Sequence, residues 1–455
     1  MSTSRPVGID AIAVHVPRLY LDLCGEWAAV RAAALGETSV EALVGKLRRG
    51  VGVEQMAIPD AHEDSATLAA MAAARVIENA GIDSREIGAI AVGTETTVDQ
   101  SKSIAAYVLG MLERRFGVDL REVGAPQFQF ACIGATYALE SVVNAFRAGE
   151  ATKRYGLVIA TDVSRYPLAT SGEYTQGAGA VAMLVCEDPR LLAFDARVQA
   201  TITRDERDFF RPNGLSTATV DGKYSIDVYL DCIGEAARLF RGRLGDLRGV
   251  DEPLDRALNR LVFHIPFPRM AEYAALRVLG ETWHPDVPPS ERRTFERELA
   301  KTERFKEFFA SRISSSLELS RRVGNIYSGS MYLGLVSLLE NTADAACLQG
   351  ERVGFFSYGS GASARVFSGV FVDPSSHVNH ARKLVEGAPG ARVPLSLEQY
   401  EALHRGPHDP SLPLALRQPA PSVLPPEGEF ALRRVGTEVG DRRTDLGYRY
   451  YDWVA

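Results

Sequence analysis

Along this chain, short and nearly continuous apolar runs alternate with longer stretches in which apolar residues return every three or four positions. EIGAIAVGTET (86–96) reads as a buried strand ending in Thr and Glu, and SKSIAAYVLGMLERRFG (101–117) as a helix stopping at Gly117. APQFQFAC (125–132) is a strand candidate, ATYALESVVNAFRAG (135–149) a helix closed by Gly149, and YGLVIATDVS (155–164) and GAGAVAMLVCE (177–187) are further strands. The second half repeats the texture. RLVFHIPFP (260–268) is a strand that stops at prolines, SGSMYLGLVSLLEN (328–341) a helix, and RVGFFSYGSGASARVFSGVF (352–371) a hairpin turning at Gly359 and Gly361. Such alternation, with strands too apolar for exposed edges, predicts an α/β fold whose sheets are covered by helices on both faces.

Two halves of similar architecture are consistent with a duplicated unit, and the region near residues 190–200 is the expected boundary, giving units 1–190 and 191–455. Residues 406–428 are proline-rich and are expected to form an extended surface segment.

Composition changes the picture mainly by exclusion. A chain of 455 residues can bury a large core, and 46% hydrophobic with 24% charged residues is ordinary for a soluble protein. A net charge of −7 leaves no electrostatic footprint for nucleic acid. No run of about 18 apolar residues predicts a membrane span, and the N-terminus lacks the pattern of a signal peptide. Cys24, Cys132, Cys186, Cys232 and Cys347 are scattered and odd in number. That argues against a disulfide framework and against a Cys-x-x-Cys metal site, so no metal is expected and a reducing cytoplasm fits.

The candidate chemistry centres on Cys132. A free cysteine is often only a small core hydrophobe, but this one lies between a strand end and a helix start. There the helix dipole favours thiolate, first-turn N–H groups can hold an oxyanion, and Gly134 lets a substrate approach the backbone. His264 and Glu95 each end an apolar strand; alone, they would read as a core imidazole and a capping carboxylate. GNIYSGS (324–330) and YGSGAS (358–363) would read as turns.

Nine segments in order carry more: GTETTVDQSKS, ACIGATYAL, VIATDVSRY, YTQGAGAVAML, DFFRPNG, VDGKYSIDVYL, FHIPFPRM, VGNIYSGSMYLGLVSLLE and FSYGSG. Together they resemble the hydroxymethylglutaryl-CoA synthases of the thiolase superfamily, from GIDAIAVHVPRLYLDL to just past residue 400. The resemblance implies a duplicated αβαβα thiolase-like fold, usually a homodimer, and condensation of acetyl-CoA with acetoacetyl-CoA to 3-hydroxy-3-methylglutaryl-CoA, the step feeding mevalonate and isoprenoids. It implies no cofactor, the CoA thioesters being substrates.

By the same resemblance Cys132 is the acetylated nucleophile, Glu95 the acid/base, and His264, with Asn325 beside it, the group that polarises the acceptor ketone. Ser360 looks like a second oxyanion donor through its backbone amide. Ser171, Thr175, Ser216, Arg269 and Tyr327 fall at substrate- or CoA-binding positions. The chain departs from the family pattern at Ile133, where Tyr is usual, at Arg269, where Lys is usual, and at Tyr273, where some relatives place Lys. These departures keep open an alternative acceptor: a β-ketoacyl group on an acyl-carrier protein, used for β-branching in polyketide assembly.

Overall fold

A computed structural model describes residues 5–378, 381–386, 392–405, 418–440 and 444–455. Strand β1 (Val7–His15) is buried along almost its whole length, so both of its faces must be covered. Helix α1 (Ser65–Ala80) covers one of them. Asp64 caps it, accepting from the amides of Ala66 and Thr67, while Thr67 Oγ1 answers to the Asp64 amide. Then follow β2 (Ile87–Gly93), α2 (Ile104–Phe116), β3 (Gln127–Phe128), α3 (Gly134–Ala148), β4 (Tyr155–Val163) and β5 (Ala178–Glu187). The second half supplies β6 (Leu192–Thr203), α4 (Gly222–Arg248), β7 (Arg260–Phe263), α5 (Pro268–Trp283), α6 (Ser330–Asn341), β8 (Arg352–Gly359) and β9 (Ser363–Phe371).

These strands form one sheet in the order β7-β8-β9-β6-β1-β5-β4-β2-β3. Reading outward from β1, the neighbours β5, β4, β2 and β3 join antiparallel, antiparallel, parallel and parallel. Reading outward from β6, the neighbours β9, β8 and β7 join antiparallel, antiparallel and parallel. Apart from β3, which has no counterpart, the halves therefore share one topology, and among the described residues the sheet joins them where Gly8 and Ile9 pair with Ala193 and Leu192.

Three cores separate the layers. α1 and α2 pack on the outside of the first half, and α4 and α5 on the outside of the second. α3 and α6 lie between, sharing a core with strands from both halves. This is the αβαβα arrangement, with two central helices whose first turns open toward each other's half. Among the described residues no helix is long and apolar enough to cross a membrane.

The apolar runs placed the elements well, and pairing set their lengths. β3 is two residues rather than eight because β2 offers it only Val92 and Gly93. β7 ends at Phe263, with one more ladder bond from His264 N to Phe356 O at 2.9 Å, before Pro268 starts α5. Residues 406–417 of the proline-rich stretch lie outside the described residues; 418–428 form no helix or strand and run along the surface. A C-terminal hairpin, Glu429–Val435 with Arg449–Val454, packs Phe430, Leu432 and Tyr451 against α1 and α2.

Candidate active site

Glycines bring the first turn of α3 directly onto β2. A Cβ on Gly93 would lie 2.2 Å from Ala135, and one on Gly134 would lie 2.8 Å from the Phe128 carbonyl oxygen. The freedom at Gly134 thus serves packing of the chain on itself, not the substrate approach expected from sequence. Ala131, just before the nucleophile candidate, takes φ 37°, a left-handed conformation uncommon for a residue with a Cβ. The result is a sharp turn that leaves Cys132 partly exposed and points its thiol at the strand beside it.

There it meets Glu95. Cys132 Sγ donates to Glu95 Oε2 at 3.3 Å, a side-chain link between the candidate nucleophile and the candidate acid/base. Burial, then the Asp162 charge, pushes the Glu95 carboxyl up to about 8, against the opposing pull of Arg211. The thiol is also raised well above its usual range, by burial first and then by the Glu95, Asp162 and Asp208 carboxylates. The expected thiolate at the helix N-terminus is therefore not what this site holds. Three carboxylates and a dry environment outweigh the helix dipole, and both thiol and carboxyl are held toward their protonated forms.

Asp162, fully buried on β4, organises this corner. Its Oδ1 accepts from Thr94 Oγ1, Glu95 N, Thr96 N and Thr96 Oγ1 at 2.6–3.0 Å, and its Oδ2 from Ser328 N and Oγ at 2.9 and 2.5 Å. It was not among the candidates read from sequence, although an acid inside the apolar run VIATDVS was a signal.

The second half supplies the facing wall. His264 is 2% exposed, and burial drives its imidazole down to about 3, so the ring is neutral at physiological pH. Neither ring nitrogen has a hydrogen-bond partner among the described residues. Tyr229 OH donates to the His264 carbonyl oxygen at 3.0 Å, and the Tyr229 and Tyr358 rings flank the imidazole. Asn325 accepts on Oδ1 from Tyr327 N and Ser330 Oγ, which fixes the carboxamide. Its Nδ2 makes no such bond among the described residues. Tyr327 lies with Tyr166, Phe209 and Ala218 in an apolar cluster that packs against Cys132.

The turn between β8 and β9 carries Ser360 close to the nucleophile's loop: a Cβ on Gly359 would lie 2.7 Å from the Ile133 amide nitrogen. Ile133, where Tyr was expected by resemblance, is fully buried and fills this contact. Asp208 fastens the turn by accepting from Gly361 N at 2.9 Å and from Tyr358 OH at 3.2 Å.

The remaining candidates are peripheral. Thr175 donates its hydroxyl to the Gly172 carbonyl, and its own carbonyl accepts from Asn325 N. Ser171 is exposed, and Ser216 is half-buried in the turn of a small hairpin over the site. Arg269, at the start of α5, pairs with Glu272 at 2.6 Å on its own helix and is 40% exposed, with the ring of Tyr273 near its guanidinium.

The arrangement offers a nucleophile, a proton carrier touching it, and a separate neutral donor pair for a second carbonyl. That is the equipment for acyl transfer followed by carbon–carbon bond formation. Residues 3–189 match the family described as hydroxymethylglutaryl-coenzyme A synthase N terminal, and residues 192–402 the one described as its C terminal. The chain is similar to a hydroxymethylglutaryl-CoA synthase of Enterococcus faecalis, 35% identical over 87% of this chain and 91% of that one. A synthase of Haloferax volcanii is 33% identical over 88% and 91% of the two chains. A solved structure of MvaS in complex with 3-hydroxy-3-methylglutaryl coenzyme A superposes with a TM-score of 0.81 at 33% identity, covering 99% of this chain and 100% of that one.

Proposed function

Because the chain belongs to the hydroxymethylglutaryl-coenzyme A synthase family, we propose that it condenses acetyl-CoA with acetoacetyl-CoA to 3-hydroxy-3-methylglutaryl-CoA. The observation that carries the mechanism is the hydrogen bond from Cys132 Sγ to Glu95 Oε2. Sulfur attacks the acetyl carbonyl as its proton passes to Glu95, which returns that proton to the departing CoA thiolate. Glu95, again ionised, removes a proton from the methyl of the acetyl-Cys132 thioester. A carboxyl raised to about 8 is a stronger base than an ordinary one, which this weak carbon acid requires.

The enolate carbon attacks the ketone of acetoacetyl-CoA. His264 and the Asn325 Nδ2 group donate to the developing alkoxide, and a neutral imidazole can do so without first losing a proton. The proton that Glu95 took from the methyl group passes to this alkoxide. Water then cleaves the Cys132 thioester, one of its protons returning to sulfur and the other being released as the product leaves as its carboxylate. No step needs a metal or redox cofactor.

A CoA-borne acceptor is favoured over a carrier-protein-borne one by the family name of the relatives and by the ligand of the MvaS structure. We further take the working form to be a cytoplasmic homodimer, with the mevalonate route as the use of its product. The test is to mix the purified chain with acetyl-CoA and either acetoacetyl-CoA or an acetoacetyl-carrier protein. Turnover with acetoacetyl-CoA and acetylation confined to Cys132 are expected; turnover only with the carrier-borne substrate would overturn this reading.

A further inference from the structure

The stretch after Asp208 forms a short hairpin, Phe209–Phe210 paired with Thr219–Val220, over the nucleophile. Phe209 packs on Tyr166 and Tyr327, so the hairpin's inner face is part of the site wall. Its base is tied to the Ser360 turn through Asp208. The next side chain able to reach inward is Arg211. It spans 116 positions of sequence to donate from Nη2 to the carbonyl oxygen of Glu95 itself.

We propose that Arg211 is a positioning residue for the proton carrier: it holds the Glu95 main chain in register with Cys132 and supplies the cation that faces the Glu95 carboxyl. The inference rests on Glu95 acting as the acid/base of the proposed condensation.

The charges around Glu95 make the role specific. Asp162 faces it from β4, the Cys132 thiol from the start of α3, Tyr166 from the loop after β4, Tyr327 from the turn before α6, and Arg211 from the hairpin. In that set only Arg211 is positive. Asp162 and burial oppose ionisation of Glu95, and a base that is never ionised removes no proton. An opposite charge at such a site typically lowers a carboxyl by about 1–3 units, enough to decide whether Glu95 is usable near neutral pH. The rival role is a mere anchor: any long donor could hold a carbonyl oxygen and keep the hairpin down.

The experiment compares wild type, Arg211→Gln and Arg211→Lys between pH 6 and 10. It measures kcat/KM for the condensation and, separately, the rate of Cys132 alkylation by iodoacetamide. In Arg211→Gln the acidic limb of both profiles should move alkaline by about one unit or more, with about a tenfold loss near pH 7 that is regained at high pH. Arg211→Lys should restore most of the wild-type profile. A pH-independent loss, or an unmoved limb in a variant that melts like wild type, would overturn the proposal and leave the anchor. The alkylation arm needs no second substrate. A chain that shows the shifted alkylation limb but does not condense acetoacetyl-CoA would refute the proposed function and retain the role of Arg211.

Discussion

Replacing Asp162 with Asn should move the same pH limb in the opposite direction while weakening the fold. The carboxylate accepts six hydrogen bonds, four on Oδ1 and two on Oδ2. An Asn fits least badly with its oxygen toward Thr94, Glu95 and Thr96 and its NH2 toward Ser328. The Ser328 hydroxyl can turn to accept from that NH2, because it already has the Gly93 carbonyl as an alternative acceptor at 3.0 Å. The Ser328 amide cannot turn, and an orphaned buried donor costs about 1–3 kcal/mol. The four surviving bonds lose their charge assistance, roughly half their strength, while the cost of burying a charge disappears. A net loss of about 2–4 kcal/mol follows, visible as a fall of several degrees in Tm. Electrostatically the change is favourable to ionisation: Asp162 is the second cause holding Glu95 up, after burial. Without it Glu95 ionises at lower pH, so the acidic limb of kcat/KM shifts acid even as the maximum rate falls. Differential scanning fluorimetry and a pH–rate profile on one preparation read both effects. An unchanged melting curve would refute the hydrogen-bond account, and an unmoved or alkaline-shifted limb would refute the electrostatic one.

Cys132→Ser should lose turnover by orders of magnitude, because a hydroxyl hydrogen-bonded to one carboxylate is a far weaker nucleophile than a thiol; a mass adduct from acetyl-CoA on any other cysteine would contradict the assignment. Glu95→Ala should slow condensation much more than acetylation of Cys132, which single-turnover labelling can separate; equal losses would argue against a proton carrier acting on the methyl group. His264→Ala should depress use of acetoacetyl-CoA more than acetylation, and wild-type kcat should show no limb near 6.5 from this residue, since burial keeps it neutral down to about 3. Glu63, buried beside His15 and His62, is raised to about 8. A carboxyl raised in the fold stabilises below its unfolded value and loses that contribution as pH climbs through the folded one. Glu63→Gln should therefore flatten the fall in Tm between pH 5 and 9, and a fall as steep as in wild type would show that Glu63 is not its source.

Much of the fold was legible because its strands are apolar runs and two helices end on glycines, at Gly117 and Gly149, that take positive φ. α1 was harder to see: it is buried on nearly every side over Ser65–Ile77, so it has no polar stripe to announce a helix. In the site, Cys132 and Glu95 could be picked out from their places at strand and helix ends and from the family resemblance. Their contact could not, because 37 positions separate them and only the Gly93–Ala135 approach closes the gap. The protonation state was read the wrong way for a related reason. The helix dipole is a local feature of sequence, while the carboxylates that oppose it come from β2, β4 and the 208 segment. Asp162 and Arg211 likewise owe their roles to convergence, not to the motifs around them.

The duplicated topology explains why these parts meet. Counting from matching elements, β2 corresponds to β7, and each ends at a titratable residue, Glu95 two positions after β2 and His264 one after β7. The central helices also correspond, α3 beginning at Gly134 and α6 at Ser330. Three residues before each start stands a non-glycine with positive φ, Ala131 at 37° and Tyr327 at 42°. One position on come Cys132 in the first half and Ser328 in the second. The same sharp turn is thus used twice, once to present a thiol and once to send a hydroxyl back to Asp162 on the opposite half. In the first half the pair of strand end and helix turn brings Glu95 and Cys132 into contact, the base and nucleophile of the proposed mechanism. In the second half the corresponding strand end carries the neutral imidazole of His264, the turn position carries Ser328, and the fixed carboxamide of Asn325 lies three residues before it; in the proposed mechanism the imidazole and carboxamide polarise without reacting. A condensation of two thioesters needs one activated carbon and one activated carbonyl, and a fold that repeats one scaffold about a shared pair of central helices delivers the two facing each other.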